Sequence, residues 1–221
     1  CVAPNMWSHY GLVRYARSGI GRAACDGSEG RRVYLHNEDM QHVMFCPASA
    51  DLLTFATWPD YQNHAPLPEN HRARAWMVDL EADFARPWLI APKGFRATHE
   101  YWSPDGRRMF FHKRQVDDIW SPPRWVPCWV SYMDRQTGRQ TDFFMSETQQ
   151  LNHSICTPDG RRVVSDNDDF RHPNELLLID VETGKAETLW WRNMACRARG
   201  AQDGGPVMSA TGRLVAATSD C

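Results

Sequence analysis

Three histidines stand at matched positions along this chain. His42, His99 and His153 each lie five residues before a proline, at Pro47, Pro104 and Pro158. The surrounding segments are alike: Gln-His-Val-Met-Phe-Cys-Pro, His-Glu-Tyr-Trp-Ser-Pro-Asp-Gly-Arg-Arg and His-Ser-Ile-Cys-Thr-Pro-Asp-Gly-Arg-Arg. An imidazole is the side chain that gives or takes a proton near neutral pH, and its neutral form is a common metal ligand. Three of them delivered to one place could serve as a base, bind an anion or hold a metal. Taken singly, each could instead cap its own strand by bonding to a neighbouring loop.

The segments that carry the histidines recur in phase. The starts are spaced by 57 and 54 residues, and a degraded copy, Gly205-Pro-Val-Met-Ser-Ala-Thr-Gly212, follows 52 residues later with Gly in place of His. Recurrence at one period marks a repeat architecture. Pro-Asp-Gly supplies a preset φ, a self-capping carboxylate and a residue free to take φ > 0, which together make a tight turn. The flanking apolar and aromatic residues suit pleated, half-buried strands.

Each unit reads as four short strands. The first has His42–Phe45, Leu52–Thr57, Ala73–Leu80 and Ala85–Ile90. The second has His99–Ser103, Arg108–His112, Val130–Met133 and Asp142–Met145. The third has His153–Cys156, Arg162–Ser165, Glu175–Asp180 and Ala186–Trp190. Val207–Ser209 and Arg213–Thr218 form the last two strands. Before the first unit, Tyr10–Tyr15 and Arg32–His36 read as two outer strands, with Gly-rich Gly19–Gly30 as their connection. No stretch reads as an amphipathic helix. Four strands per unit of about 50 residues describe an all-β fold, a β-propeller of four-stranded antiparallel blades. The organisation is one partial propeller over 1–221, with blades near 42–91, 99–145 and 153–190 and half blades at 10–36 and 205–218. Two halves could pair to close a four-bladed ring. The cut-looking ends and long blades point instead to part of a larger propeller.

In such a fold the first strand of each blade lines the central channel. His42, His99 and His153, read as the starts of those strands, would then face one cavity from successive blades.

Composition narrows the function. A net charge of −2 and a pI of about 6.5 give no basic surface for nucleic acid or an anionic membrane. No apolar run approaches the roughly 18 residues of a membrane span. Seven cysteines, an odd number without a C-x-x-C pair, argue against a zinc ribbon and fit a reducing, cytoplasmic compartment. The ten tryptophans are expected in the core and between blades. The chain opens at Cys1, so its true start is expected upstream.

These motifs resemble those of the oligogalacturonate lyase family. The resemblance rests on His99-Glu-Tyr-Trp-Ser-Pro-Asp-Gly, on Gln41-His42-Val-Met-Phe-Cys-Pro with Asp51-Leu-Leu-Thr-Phe55, and on Arg74-Ala-Trp76, 25 residues before His99. It runs from about His42 to Thr218 and would cover the later blades of a full-length member. The family is built on a seven-bladed propeller and degrades short pectin fragments. The resemblance implies that His99 is the catalytic base, that Arg74 acts with it and binds substrate, and that His153 is a metal ligand. The family's remaining manganese ligands come from a Gln-x-x-His-Pro-His-Pro segment. Its positions fall here on Gly200, Asp203 and Gly205, of which only Asp203 can coordinate. The expected manganese set is therefore His153 and Asp203, an incomplete one. His42 is the further substrate-binding position. The expected function is β-elimination on an oligogalacturonide or related uronate oligosaccharide. The alternative is a non-catalytic propeller that binds a carbohydrate or a protein partner.

Overall fold

A computed structural model describes residues 18–36, 40–57, 73–92, 94–115, 127–167, 174–192 and 206–216. All regular structure among them is strand, so no helix there is long and apolar enough to cross a membrane. Contacts divide the chain into two compact units, Cys1–Ile90 and Ala91–Cys221.

The first unit begins with a two-stranded sheet, β1 (Ser18–Arg22) and β2 (Arg31–His36). The Gly-rich stretch expected to be a connection is thus partly strand. Ser-Gly-Ile-Gly-Arg alternates, with Ser18 and Ile20 turned inward. Gly19 lets the partner approach, since a Cβ there would come within 3.3 Å of the Arg32 side chain. Pairing and burial override weak strand propensity here. The expected strand at Tyr10–Tyr15 lies outside the described residues. A four-stranded sheet follows, β3 (Met40–Phe45), β4 (Leu52–Thr57), β5 (Ala73–Asp79) and β6 (Phe84–Ile90), each antiparallel to the next. Leu53, Phe55 and Val78 form its core with Ile20 of β1. Trp76 stacks with Phe55 at 6.2 Å and meets the His36 ring edge-on at 4.7 Å.

The second unit holds two further four-stranded sheets and a hairpin. One sheet runs β7 (Phe95–Trp102), β8 (Arg108–Gln115), β9 (Cys128–Asp134) and β10 (Gln140–Ser146). The next runs β11 (Leu151–Cys156), β12 (Arg162–Asn167), β13 (Asn174–Asp180) and β14 (Ala186–Arg192). The hairpin pairs β15 (Val207–Met208) with β16 (Val215–Ala216), and residues 217 and 218 of the expected last strand lie outside the described residues. β11 lies against β7, β8 and β9 of the preceding sheet. Between the two sheets sits a core that includes Phe110, Val130, Leu151, Val163, Leu177 and Ile179.

The Pro-Asp-Gly turns work as the sequence indicates. Ser103 Oγ accepts the Arg108 N–H at 3.0 Å, and Thr157 Oγ1 accepts the Arg162 N–H at 3.1 Å. Asp105 and Asp159 each accept a backbone N–H two residues on, from Arg107 and Arg161. Successive turns pack together: a Cβ on Gly160 would be 4.0 Å from Ser103 Cβ, and one on Gly212 would be 2.6 Å from Pro158 Cδ.

β8 is buried along nearly its whole length, although it carries His112, Lys113 and Arg114. Each must be partnered to be tolerated there. Lys113 bonds Asp142 and lies over the rings of Phe95 and Trp129, 5.1 and 4.8 Å from their centroids.

Candidate histidine site

The three repeat histidines do not open their strands. β3, β7 and β11 start earlier, at Met40, Phe95 and Leu151, and each histidine lies inside a β-bulge. In β7 the register passes from Thr98↔His112 to Tyr101↔Phe110, so His99 and Glu100 together oppose Phe111. In β3 it passes from Gln41↔Ala56 to Met44↔Thr54, so His42 and Val43 oppose Phe55. In β11 the bulge falls one residue earlier in the repeat, where Asn152 and His153 oppose Asp166. The two-residue alternation of a regular strand is therefore interrupted at His99 and Glu100.

Two of these bulges hold strained backbone. His42 has φ 50° and His99 has φ 57°. Left-handed φ is uncommon for residues other than glycine and costs on the order of 1–3 kcal/mol where it persists. Bulges of this kind re-aim a side chain and are frequent beside functional sites.

In the second unit the bulges bring His99 and His153 together. Their ring centroids are 4.4 Å apart and tilted by 36°. His112 meets His99 edge-on at 6.0 Å. Burial, then the neighbouring His153 and Arg114, lowers the His99 pKa from its ordinary 6.5 to about 3. His112 is fully buried, and burial followed by His99 and Arg114 holds its pKa well below 6.5. Both rings are neutral at physiological pH. Thr98 Oγ1, His99 Nδ1 and His112 Nδ1 are buried without a hydrogen-bond partner among the described residues.

A polar frame surrounds the rings. Ser154 Oγ lies 2.9 Å from His112 Nε2 and 3.0 Å from Tyr101 Oη. Burial pushes Tyr101 well above its usual pKa, so the phenol keeps its proton. Arg114 donates from Nη2 to Leu151 O at 2.8 Å and to Asn152 Oδ1 at 2.7 Å. Asp166 Oδ1 accepts the backbone N–H of Asn152 at 3.2 Å and of His153 at 2.6 Å, which satisfies the two donors that the bulge releases from the ladder. Its other oxygen, Oδ2, lies 3.2 Å from His153 Nδ1.

His112, Arg114, Asn152 and Asp166 are not apparent from the repeat histidines alone. One signal does point to two of them. His112 and Asp166 each fall eight residues after the turn proline, at one repeat position of the second strand. Arg74 and His42 belong to the first unit. Arg74 is only 2% exposed, which excludes the exposed ion pair that a third-strand arginine could have formed, and its Nη1 donates to Thr57 O at 3.1 Å. His42 is exposed at its bulge. Asp203 lies outside the described residues, as do Gly200 and Gly205.

The manganese expectation finds no donor set here. No group of three or more His, Cys, Asp or Glu side chains able to hold a metal occurs among the described residues. His153 offers one ring nitrogen already turned to Asp166 and Asn152. The described residues do not fit manganese as a resident ion.

No family model matches the chain, and no curated protein matches it in sequence. Solved structures do match. An oligogalacturonate lyase in complex with manganese aligns over 90% of this chain and 50% of its own, with TM-score 0.71 and 16% identity. The oligogalacturonate lyase of Vibrio parahaemolyticus aligns over 92% and 51%, with TM-score 0.70 and 17% identity. The β-propeller domain of Cps50 (Swd1) from Myceliophteria thermophila aligns over 86% and 57%, with TM-score 0.53 and 11% identity. The fold is that of a β-propeller. Its four-stranded sheets are blades, and β3, β7 and β11 are their first strands. The chain spans about half the length of the lyase structures it matches. At such identities the likeness carries the fold and leaves the activity to the site.

Proposed function

We propose that this chain carries the site of a lyase that cleaves oligogalacturonides by β-elimination, with His99 as the base. The observation that carries the reading is the pair itself: a neutral His99 held in strained backbone, its ring 4.4 Å from His153. The motif resemblance and the lyase structures support it from a second direction.

The chemistry follows from the substrate. The proton α to a uronate carboxylate is removed, its electron pair forms the new double bond, and the bond to the 4-linked sugar oxygen breaks. The departing oxygen takes a proton from water, and the base later gives its proton back to solvent. The barrier lies in building charge next to an existing carboxylate, so the site needs a neutral base and a cation. His99 supplies the first. A base with so low a pKa is weak in the free protein, but a bound carboxylate favours the imidazolium and raises it. Arg114, whose charge already reaches His99, supplies positive potential beside the rings. Arg74 enters the proposal through the resemblance, as the guanidinium fork for a substrate carboxylate, and His42 as a further substrate contact. No step needs manganese from the described residues.

A Ser–His hydrolase reading fits less well. Ser154 and His112 are within hydrogen-bond distance, but His112 is fully buried, has a depressed pKa and has no carboxylate on Nδ1. A non-catalytic propeller that binds a carbohydrate or protein is the competing class.

The test is turnover of digalacturonate, followed by the ultraviolet absorbance of the new conjugated double bond. His99→Ala is expected to lower the rate about 10²–10⁴-fold, the usual contribution of a positioned base. Full-rate turnover by His99→Ala would remove His99 as base. No turnover by the unaltered chain, with or without added manganese, would favour the binding module.

A further inference from the structure

One ring atom of His153 faces two neighbours with opposite demands. His153 Nδ1 lies 3.2 Å from Asp166 Oδ2, which only accepts, and 3.2 Å from Asn152 Nδ2, which only donates. Neither neighbour can turn to relieve the conflict. Asn152 Oδ1 is held by the Arg114 guanidinium at 2.7 Å, so flipping the amide would set its NH₂ against a cation. Asp166 Oδ1 is held by the backbone N–H groups of Asn152 and His153. Nδ1 is thus either protonated toward Asp166 or bare toward Asn152, never both. A hydrogen bond to an ionised carboxylate is about twice as strong as one between neutral groups.

We infer that Asp166 is a positioning residue of this site, holding His153 in the Nδ1–H tautomer so that Nε2 carries the bare lone pair. Asn152, fixed by Arg114, is the competing donor at the same nitrogen. The consequence is chemical. A bare Nε2 can accept a hydrogen bond from a sugar hydroxyl, whereas a protonated Nε2 can only donate one. The role in turnover rests on the lyase reading above, whereas the tautomer does not.

The substitution that separates the alternatives is Asp166→Asn. Its amide oxygen can stay on the two backbone N–H groups, which keeps the bulge clamped. Its NH₂ then replaces Oδ2 beside Nδ1. Both neighbours become donors, and the ring should change to Nε2–H. The reverse variant, Asn152→Asp, keeps a partner for Arg114 and gives Nδ1 a second acceptor, so the Nδ1–H form should persist. Long-range proton–nitrogen correlation spectra of histidine-labelled chain, taken where the imidazoles are neutral, report the tautomer directly. His153→Gln identifies the His153 signals by their loss. The expected result is Nδ1–H in the unaltered chain and in Asn152→Asp, and Nε2–H in Asp166→Asn. Nε2–H in the unaltered chain would overturn the inference, as would an unchanged tautomer in a folded Asp166→Asn. Should Asp166→Asn fail to fold, the first of these outcomes still decides. In the digalacturonate assay Asp166→Asn should lower turnover relative to the unaltered chain. An inactive chain with the expected tautomers would sink the lyase reading and leave the inference standing. An active chain whose His153 is Nε2–H would do the reverse.

Discussion

His99 and His112 show what burial does to a titratable group. In the unfolded chain each has an ordinary pKa near 6.5, whereas in the native state both are depressed, His99 to about 3. As pH falls below 6.5 the unfolded chain takes up protons that the folded rings refuse. Stability from these two groups is therefore full above about pH 6.5 and declines as the solution is acidified toward the folded pKa. The lowered aspartates, Asp26, Asp105, Asp134, Asp142, Asp159 and Asp180, act in the same direction only nearer and below their ordinary value of 3.8. The interval from about pH 6.5 to 4.5 thus belongs largely to the histidines. Denaturant midpoints should fall across it, and His112→Asn should flatten the fall because an amide does not titrate. An equal slope in both proteins would show that His112 is not buried neutral. At this scale the sequence shows the three repeat histidines and their types. It does not show that His112 and Asp166 stand beside them, because that depends on which residues of neighbouring strands share a register.

Turns and bulges decide the elements. Gly138 and Gly184 end matching turns, Asp134-Arg-Gln-Thr-Gly and Asp180-Val-Glu-Thr-Gly, with φ of 67° and 68°. Each turn is closed by its aspartate, which accepts the N–H groups two and three residues on. Alanine at either glycine would be forced into left-handed backbone, at about 1–2 kcal/mol. Their surroundings differ. A Cβ at Gly138 meets nothing within 4 Å, whereas one at Gly184 would lie 2.2 Å from the Phe143 carbonyl oxygen on the preceding blade. Gly184→Ala should therefore destabilise the chain clearly more than Gly138→Ala, as read from the two denaturation midpoints. Equal costs would mean that the third blade does not press against the second at this point. The turns were legible because Pro, Asp and Gly act locally. The bulges were not, since an extra residue in one strand is defined only by the partner it fails to pair with.

For the whole molecule, the blade plan and the site make different demands. Four-stranded antiparallel sheets need only alternation and turns, and a propeller tolerates wide change in both. A metal centre needs several donors at once, because coordination number drives affinity. With His153 as the one expected manganese ligand among the described residues, calorimetric titration with manganese should show weak binding. Tight binding abolished by His153→Ala would show that donors beyond the described residues complete a site with it.

The sequence by itself determined the class of fold. The repeat period, the turn residues and the alternation of apolar side chains each act over a few residues, so they are readable without knowing any partner. It also named His99 and His153 and set them at one repeat position. Only the tertiary structure decided how they meet. The strands begin before the histidines, the bulges turn the rings, and the β11 bulge is displaced by one residue relative to the other two. That displacement puts Asn152 and His153 opposite Asp166, whose oxygens hold both backbone and ring. The depressed pKa of His99, the burial of Arg74 and the opposed demands on His153 follow from packing between strands far apart in the chain. No local pattern carries that information.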